Sequence, residues 1–153
     1  MSRVQLALNV DDLETAIDFY SKLFNAAPAK QRPGYANFAI TEPPLKLVLL
    51  ENPGQGGSIN HLGVEVESTE IVDAEQRRLA DSGLASIDER GTECCYAKQD
   101  KFWVEGTPSG ERWEIYTVLA DSSVMGCDAT DGAACVSSAH ADSDAATAGA
   151  GCC

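Results

Sequence analysis

Gln5-Leu-Ala-Leu-Asn-Val10 and His61-Leu-Gly-Val-Glu-Val66 match position for position, and the reading of these two stretches decides the fold. In both, apolar residues recur at every second position, the period of a strand with one packed face. Val4, Leu6, Leu8 and Val10 fall on one side of the first, with Gln5, Ala7 and Asn9 on the other. Leu62, Val64 and Val66 oppose His61, Gly63 and Glu65 in the second. A helical pattern follows each. Residues 12–25 place Leu13, Ile17, Tyr20, Leu23 and Phe24 on one stripe, with Asp11 as N-cap and Glu14 three residues on. Residues 69–82 start behind Ser68, carry Arg77 and Arg78 near their end, and meet Gly83 in the C′ position.

Three short extended runs come after each helix. The first set is 28–31, 35–40 and 45–50, split by Pro33-Gly34 and Pro43-Pro44. The second is 85–88, 95–98 continuing through 102–104, and 112–118, with a turn at Thr107-Pro-Ser-Gly110. The segment from Glu51 to Ser58 joins the halves. The chain is therefore expected to be α+β, with two βαβββ modules forming a curved mixed sheet, a cup with its helices outside. Repeat one covers about 1–51 and repeat two about 59–119, in one domain of residues 1–119. Two copies suggest an internal pseudo-dimer, since solenoids need three or more.

Residues 120–153 differ in kind. They contain no Lys, Arg, aromatic residue, Leu or Ile, and are dominated by Ala, Ser, Asp and Gly. Too little apolar surface is available there to offset ordering entropy, which predicts a disordered tail. The 11 basic and 24 acidic residues give a net charge of −13, which argues against nucleic acid or an anionic membrane as partner. The longest apolar run, Leu45–Leu50, is interrupted by Lys46, so no spanning helix is expected. The opening Met-Ser-Arg-Val-Gln5 leads straight into a strand pattern rather than a signal peptide, which predicts a cytoplasmic protein with reduced thiols.

Strand parity also places chemistry. Gln5 and His61 both face the cup, and each is followed two positions later by a small residue, Ala7 or Gly63. In the last strand Arg112, Glu114 and Tyr116 share that face. An imidazole, a carboxylate and an amide oxygen converging on one point suit Fe(II), Mn(II), Ni(II) or Zn(II). The first-half strand at 45–50 has no carboxylate, so three protein ligands are expected, leaving room for water, dioxygen or substrate. Such a site is close to the two-His-one-carboxylate facial triad, with Gln5 in place of one His.

Gln5 in the first strand, Asn60-His-Leu-Gly-Val64 in the fifth and Gly110-Glu-Arg-Trp-Glu-Ile-Tyr116 in the last resemble the vicinal-oxygen-chelate superfamily of glyoxalases and extradiol dioxygenases. The opening Ser2-Arg-Val-Gln-Leu6, the stretch Arg32-Pro-Gly-Tyr-Ala-Asn-Phe38 and the vicinal Cys94-Cys95 are similar to the organoarsenical carbon–arsenic lyases and cadmium-induced proteins. The resemblance covers residues 1–119. It implies an Fe(II)-dependent enzyme that consumes dioxygen and cleaves the carbon–arsenic bond of trivalent methyl or aryl arsenicals to release arsenite. Ni, Co, Mn or Zn could occupy the same site in a purified sample. Members of the wider superfamily usually have His where Gln5 stands, and a neutral amide oxygen is the weaker ligand.

Trivalent arsenic is thiophilic, and Cys94 with Cys95 could hold a methylarsenite unit by its two exchangeable positions. Consecutive residues of a regular strand point apart, so the segment Gly91-Thr-Glu-Cys-Cys95 is expected to be irregular, a loop that folds over the metal. Tyr116, Phe102 and Trp103 are possible walls for the carbon side of the pocket. In the tail, Cys127, Cys135, Cys152 and Cys153, with His140, could collect soft metal, or be incidental in a spacer. Two alternatives stay open. One is a non-enzymatic Cd(II)- or As(III)-binding resistance protein, and the other a glyoxalase- or extradiol-type enzyme with an organic substrate, which has no use for the paired thiols. A monomer or homodimer is compatible with an internally duplicated cup.

Overall fold

In the computed structural model of the protein the described residues are 2–123. The matched stretches form β1 (Arg3–Val10) and β5 (Ile59–Glu65), which lie side by side and antiparallel at the centre of one sheet. Helix α1 (Leu13–Phe24) leads from β1 to β2 (Lys30–Arg32), β3 (Tyr35–Ile40) and β4 (Leu45–Glu51). Helix α2 (Thr69–Asp81) leads from β5 to β6 (Ser86–Cys94), β7 (Ala97–Val104) and β8 (Trp113–Asp121). The eight strands run in the order β2-β3-β4-β1-β5-β8-β7-β6, so each half repeats the other about an axis between β1 and β5. Parallel pairing of β1 with β4 and of β5 with β8 makes the sheet mixed; every other pairing is antiparallel. The tail and its four cysteines lie outside the described residues, apart from its first few positions.

One face of the curled sheet is packed and the other is hollow. Under α1, Val10, Leu13, Phe38, Ile40, Leu47 and Leu49 form a buried cluster, to which Leu6, Leu8 and Ile17 add. Under α2, Val66, Val72 and Phe102 do the same with Val64, Leu79 and Ile115. The alternate positions, Gln5, Ala7, Asn9, His61, Glu114 and Tyr116, are buried on the concave side. No helix among the described residues is long and apolar enough to cross a membrane.

Local details depart from the sequence-based expectations in three places. Asp12, rather than Asp11, caps α1, accepting from the Thr15 amide at 2.7 Å. Asp11 instead accepts from the amides of Gly54 and Gly56 at 2.8 and 3.1 Å and pins the inter-repeat linker against the end of β1. A Cβ on Gly56 would run into the Asp11 carboxylate, so a side chain here would force that carboxylate aside. Strand β8 runs on to Asp121, past the drop in apolar content at Ala120, because Lys98 and Ala97 still pair with Ala120 and Asp121. Finally, 91–94 is not a loop. Strand β6 bulges between Glu89 and Thr92, where Gly91 takes a positive φ of 59°, and pairing resumes to Cys94.

Candidate metal site

Register explains why three distant residues meet. Across β1 and β5, Gln5 pairs with Gly63 and Ala7 with His61, and Gly63 pairs in turn with Glu114 on β8. In the first half, the position of Glu114 is taken by Val48, which pairs with Ala7 as Glu114 pairs with Gly63. Hence the duplicated frame offers three polar donors where full symmetry would offer four.

The donors converge. His61 Nε2 is 3.4 Å from Glu114 Oε1, and the Gln5 amide nitrogen is 2.9 Å from His61 Nε2 and 2.8 Å from Glu114 Oε1. Metal–ligand bonds of about 2.0–2.2 Å at right angles set neighbouring donors roughly 3 Å apart, so this triangle has the dimensions of one face of a metal's coordination shell. No group of three His, Cys, Asp or Glu side chains among the described residues could hold a metal. The Gln5 amide has to complete the set, and it does so only with its oxygen turned inward, since an amide NH2 carries no lone pair for a cation.

The surrounding polar groups define each donor. His61 Nδ1 lies 2.7 Å from Asn60 Oδ1. Asn60 Nδ2 donates to Asn9 Oδ1 at 3.0 Å, Asn9 Nδ2 to Ser58 Oγ at 2.9 Å, and Ser58 Oγ to the Gln55 carbonyl at 2.7 Å. Because that final carbonyl can only accept, every donor in the chain is fixed. His61 therefore carries its proton on Nδ1 and directs the Nε2 lone pair at Gln5 and Glu114. Glu114 is buried, which disfavours its charge, but the Lys101 ammonium 3.2 Å away outweighs that and holds its pKa below the ordinary 4.5. It is thus an anion. Beyond Gln5, the Tyr116 hydroxyl bonds Gln5 Oε1, lies 2.9 Å from Glu65 Oε2 and accepts from Lys46 Nζ at 3.0 Å.

Of the suggested pocket residues, Tyr116 and Trp103 face the hollow. The Trp103 ring meets His61 edge-on at 5.7 Å and carries Arg112 and Lys101 at 4.1 and 4.7 Å from its centroid. Trp103 also lines a depression of about 360 Å³ with Ile87, Glu89 and Arg112. Phe102 does not belong here. One residue out of phase with Trp103, it is fully buried beneath α2. Lys46, Lys101, Glu65, Asn9 and Asn60 were not expected at the site, although the parity of Lys46 and Lys101 within apolar strands was a signal for them.

Cys94 and Cys95 do approach, with their sulfurs 3.6 Å apart. Cys94 pairs with Ala97, and between them Cys95 and Tyr96 take φ values of 51° and 61°, a two-residue hairpin turn of the kind that favours Asn-Gly. The turn crosses to the opposite edge of the curled sheet. Tyr96 packs on Tyr35 at 5.3 Å and donates to the Pro33 carbonyl, while its own carbonyl accepts from Lys30 Nζ at 3.1 Å. Cys95 packs against the cluster of Ala7, Tyr35, Val48 and Leu50 on the concave face. Burial, ahead of the charges at Cys95, Glu65 and Glu114, pushes the Tyr35 hydroxyl well above its ordinary value, even though the Asn37 bond opposes this. Cys94 is disulfide-bonded.

This architecture matches a known family model, described as Glyoxalase/Bleomycin resistance protein/Dioxygenase superfamily, over residues 3–115. The chain belongs to that superfamily. Among glyoxalase-superfamily relatives, it is 67% identical to the cadmium-induced protein CadI of Mycobacterium tuberculosis (strain ATCC 25618 / H37Rv) over 139 residues, 88% of this chain and 91% of that one. It is 55% identical, over the whole of both chains, to the trivalent organoarsenical cleaving enzyme of Thermomonospora curvata. The Mn(II)-bound glyoxalase of Novosphingobium aromaticivorans shares the superfamily fold, with a TM-score of 0.57 at 19% identity over 80% of this chain and 42% of that one.

Proposed function

We propose that this chain is an Fe(II)-dependent, dioxygen-consuming carbon–arsenic lyase, which converts trivalent methyl or aryl arsenicals such as methylarsenite to arsenite in the cytoplasm. The observation that carries the reading is that Cys95, its sulfur 3.6 Å from that of Cys94, packs against the concave cluster that includes Ala7, the residue paired with His61. The full-length relative described as a trivalent organoarsenical cleaving enzyme supports the substrate class.

Gln5, His61 and Glu114 would hold the metal. Fe(II) there supplies the oxidation by dioxygen that scission of the carbon–arsenic bond needs. The chain's own part is placement. Two thiols displace the two hydroxyls of methylarsonous acid, forming two S–As bonds and releasing two waters, and leave the As–CH3 bond untouched. A soft centre bonding sulfur at about 2.3 Å, the Zn–S length, bridges sulfurs 3.6 Å apart at an angle near tetrahedral. Capture requires Cys94 in its reduced form. Trp103 and Tyr116 then wall the side toward the metal, and Lys101 keeps Glu114 anionic throughout.

The test is arsenic speciation. Full-length protein reduced with thiol, loaded anaerobically with Fe(II) and given methylarsenite should release arsenite once oxygen is admitted. A yield no greater than that of His61→Ala would sink the proposal. The 67% identity to CadI favours a second reading, stoichiometric Cd(II) or As(III) binding without turnover. Tight binding that survives His61→Ala, with no arsenite formed, would select it.

A further inference from the structure

The hydrogen bonds around Tyr116 do not close as they stand. Its hydroxyl has one proton and two lone pairs. Two of its three partners, Gln5 Oε1 and Glu65 Oε2 at 2.9 Å, are acceptors, and each needs that proton. The third, Lys46 Nζ at 3.0 Å, is a donor, and it also donates to Glu65 Oε2 at 3.0 Å. One acceptor therefore faces the phenol oxygen, itself buried, with no hydrogen between them, a costly arrangement.

Turning the Gln5 amide end for end removes the conflict. Gln5 Nε2 then donates to the Tyr116 oxygen, Lys46 donates to its second lone pair, and the phenol proton goes to Glu65. All three capacities of the hydroxyl are used. The same rotation, however, aims Gln5 Oε1 at His61 Nε2 and Glu114 Oε1, and the Asn60 chain leaves no proton on His61 Nε2. Three lone-pair donors would then face one another, which is stable only around a cation. The orientation with NH2 inward satisfies the triangle and frustrates Tyr116; the reverse satisfies Tyr116 and demands a metal.

We infer that Tyr116, held by Glu65 and Lys46, is a positioning residue that selects the ligating orientation of the Gln5 amide, so that metal binding and rotation of this amide are one event. The inference rests on the metal site proposed above. The phenol is required, not merely its ring: if it is removed, an outward-facing NH2 loses the acceptor it touches, and Glu65 Oε2, the next acceptor, bonds the phenol and not Gln5. Loss of the hydroxyl thus penalises the metal-holding orientation selectively. Supporting partners of this kind typically change metal affinity by about 10–100-fold.

The experiment uses full-length protein and Zn(II), a diamagnetic probe. Calorimetric titration of Tyr116→Phe should give a Kd at least about tenfold weaker than wild type. In a Gln5→Glu background, where both side-chain oxygens are alike and no orientation has to be selected, Tyr116→Phe should change the Kd by much less. Proton NMR should show the Gln5 amide protons near the His61 ring before Zn(II) addition and near the Tyr116 ring after saturation. Amide protons that stay beside His61 in the saturated protein, or a Tyr116→Phe penalty equal in the two backgrounds, would overturn the inference. Failure of the underlying site is distinguishable, because His61→Ala would then leave the Zn(II) Kd unchanged. If His61→Ala weakens binding and Tyr116→Phe does not, only the amide selection is wrong.

Discussion

Gly63 stands directly across from Gln5, and a Cβ built on it would lie 3.1 Å from Glu114 Cγ, 3.3 Å from the Tyr116 ring and 3.4 Å from Gln5 Cβ. The absence of a side chain here lets two ligands and the phenol that supports one of them share a single layer. Gly63→Ala should cost about 1–3 kcal/mol of stability, as overpacked cores do, and weaken divalent-metal binding as well. Denaturant unfolding and metal titration check the two effects separately. A variant of unchanged metal affinity would show that the layer has slack.

Lys101 is almost wholly buried and pairs with both Glu114 and Glu89, at 3.2 and 3.5 Å. Lys101→Met leaves a buried carboxylate without its cation, a change that costs roughly 3–5 kcal/mol. A divalent metal replaces the missing charge, so saturating Mn(II) should raise the Tm of Lys101→Met more than that of wild type. Thermal scans with metal or with chelator measure the difference, and equal increments would count against the electrostatic role.

Acid should loosen the Arg3–Glu65–Lys46 cluster in a defined direction. Burial disfavours the Glu65 charge, but Lys46 and then Arg3 outweigh it, so its folded pKa lies below the ordinary 4.5. A depressed carboxyl contributes stability in full above its unfolded value, and this is lost as pH falls through the folded one. Urea unfolding of metal-free protein should therefore lose stability as pH drops below about 4.5, with a shallower loss in Glu65→Gln. Parallel profiles would remove Glu65 from the account.

The His61 tautomer is directly observable, since the chain holds 2 histidines and only His61 lies among the described residues. Imidazole 15N spectra at neutral pH should show protonated Nδ1 in wild type and a mixture of tautomers in Asn60→Ala. The same variant should bind metal about 10–100-fold more weakly. Unmixed spectra in Asn60→Ala would mean that another group orients the ring.

Cys95 occupies a left-handed turn position that side chains resist by about 1–2 kcal/mol. Cys95→Gly should accordingly gain up to about 1 kcal/mol of stability and lose tight methylarsenite binding. Opposite signs in the unfolding and binding measurements are expected if strain is retained for a thiol. Destabilisation together with intact binding would refute that trade.

The frame was legible in the sequence because hydrophobic alternation is a local property. Matching Gln5–Val10 with His61–Val66 was enough to set the parity of both central strands, and with it the convergence of Gln5, His61 and Glu114. What escaped depends on partners distant in sequence. Asp11 and Asp12 are equally good caps by type, and only the linker glycines, some forty residues on, claim Asp11. Gly91 suggested irregularity but not a single bulge, because β6 resumes pairing only when β7 is there to receive it. Phe102 and Trp103 adjoin in sequence, and their faces were separable only once the register of β7 against β8 was known.

The supports of the two central-strand ligands cross between the repeats. Asn9 of the first half steadies His61 of the second, while Glu65, at the matching place in the second half, steadies Gln5 of the first through Tyr116. Each copy thus keeps the instructions for the other's ligand. A change in either half therefore reaches the ligand of the other: a substitution at Asn9 acts on the imidazole across the axis, and one at Glu65 acts on the amide.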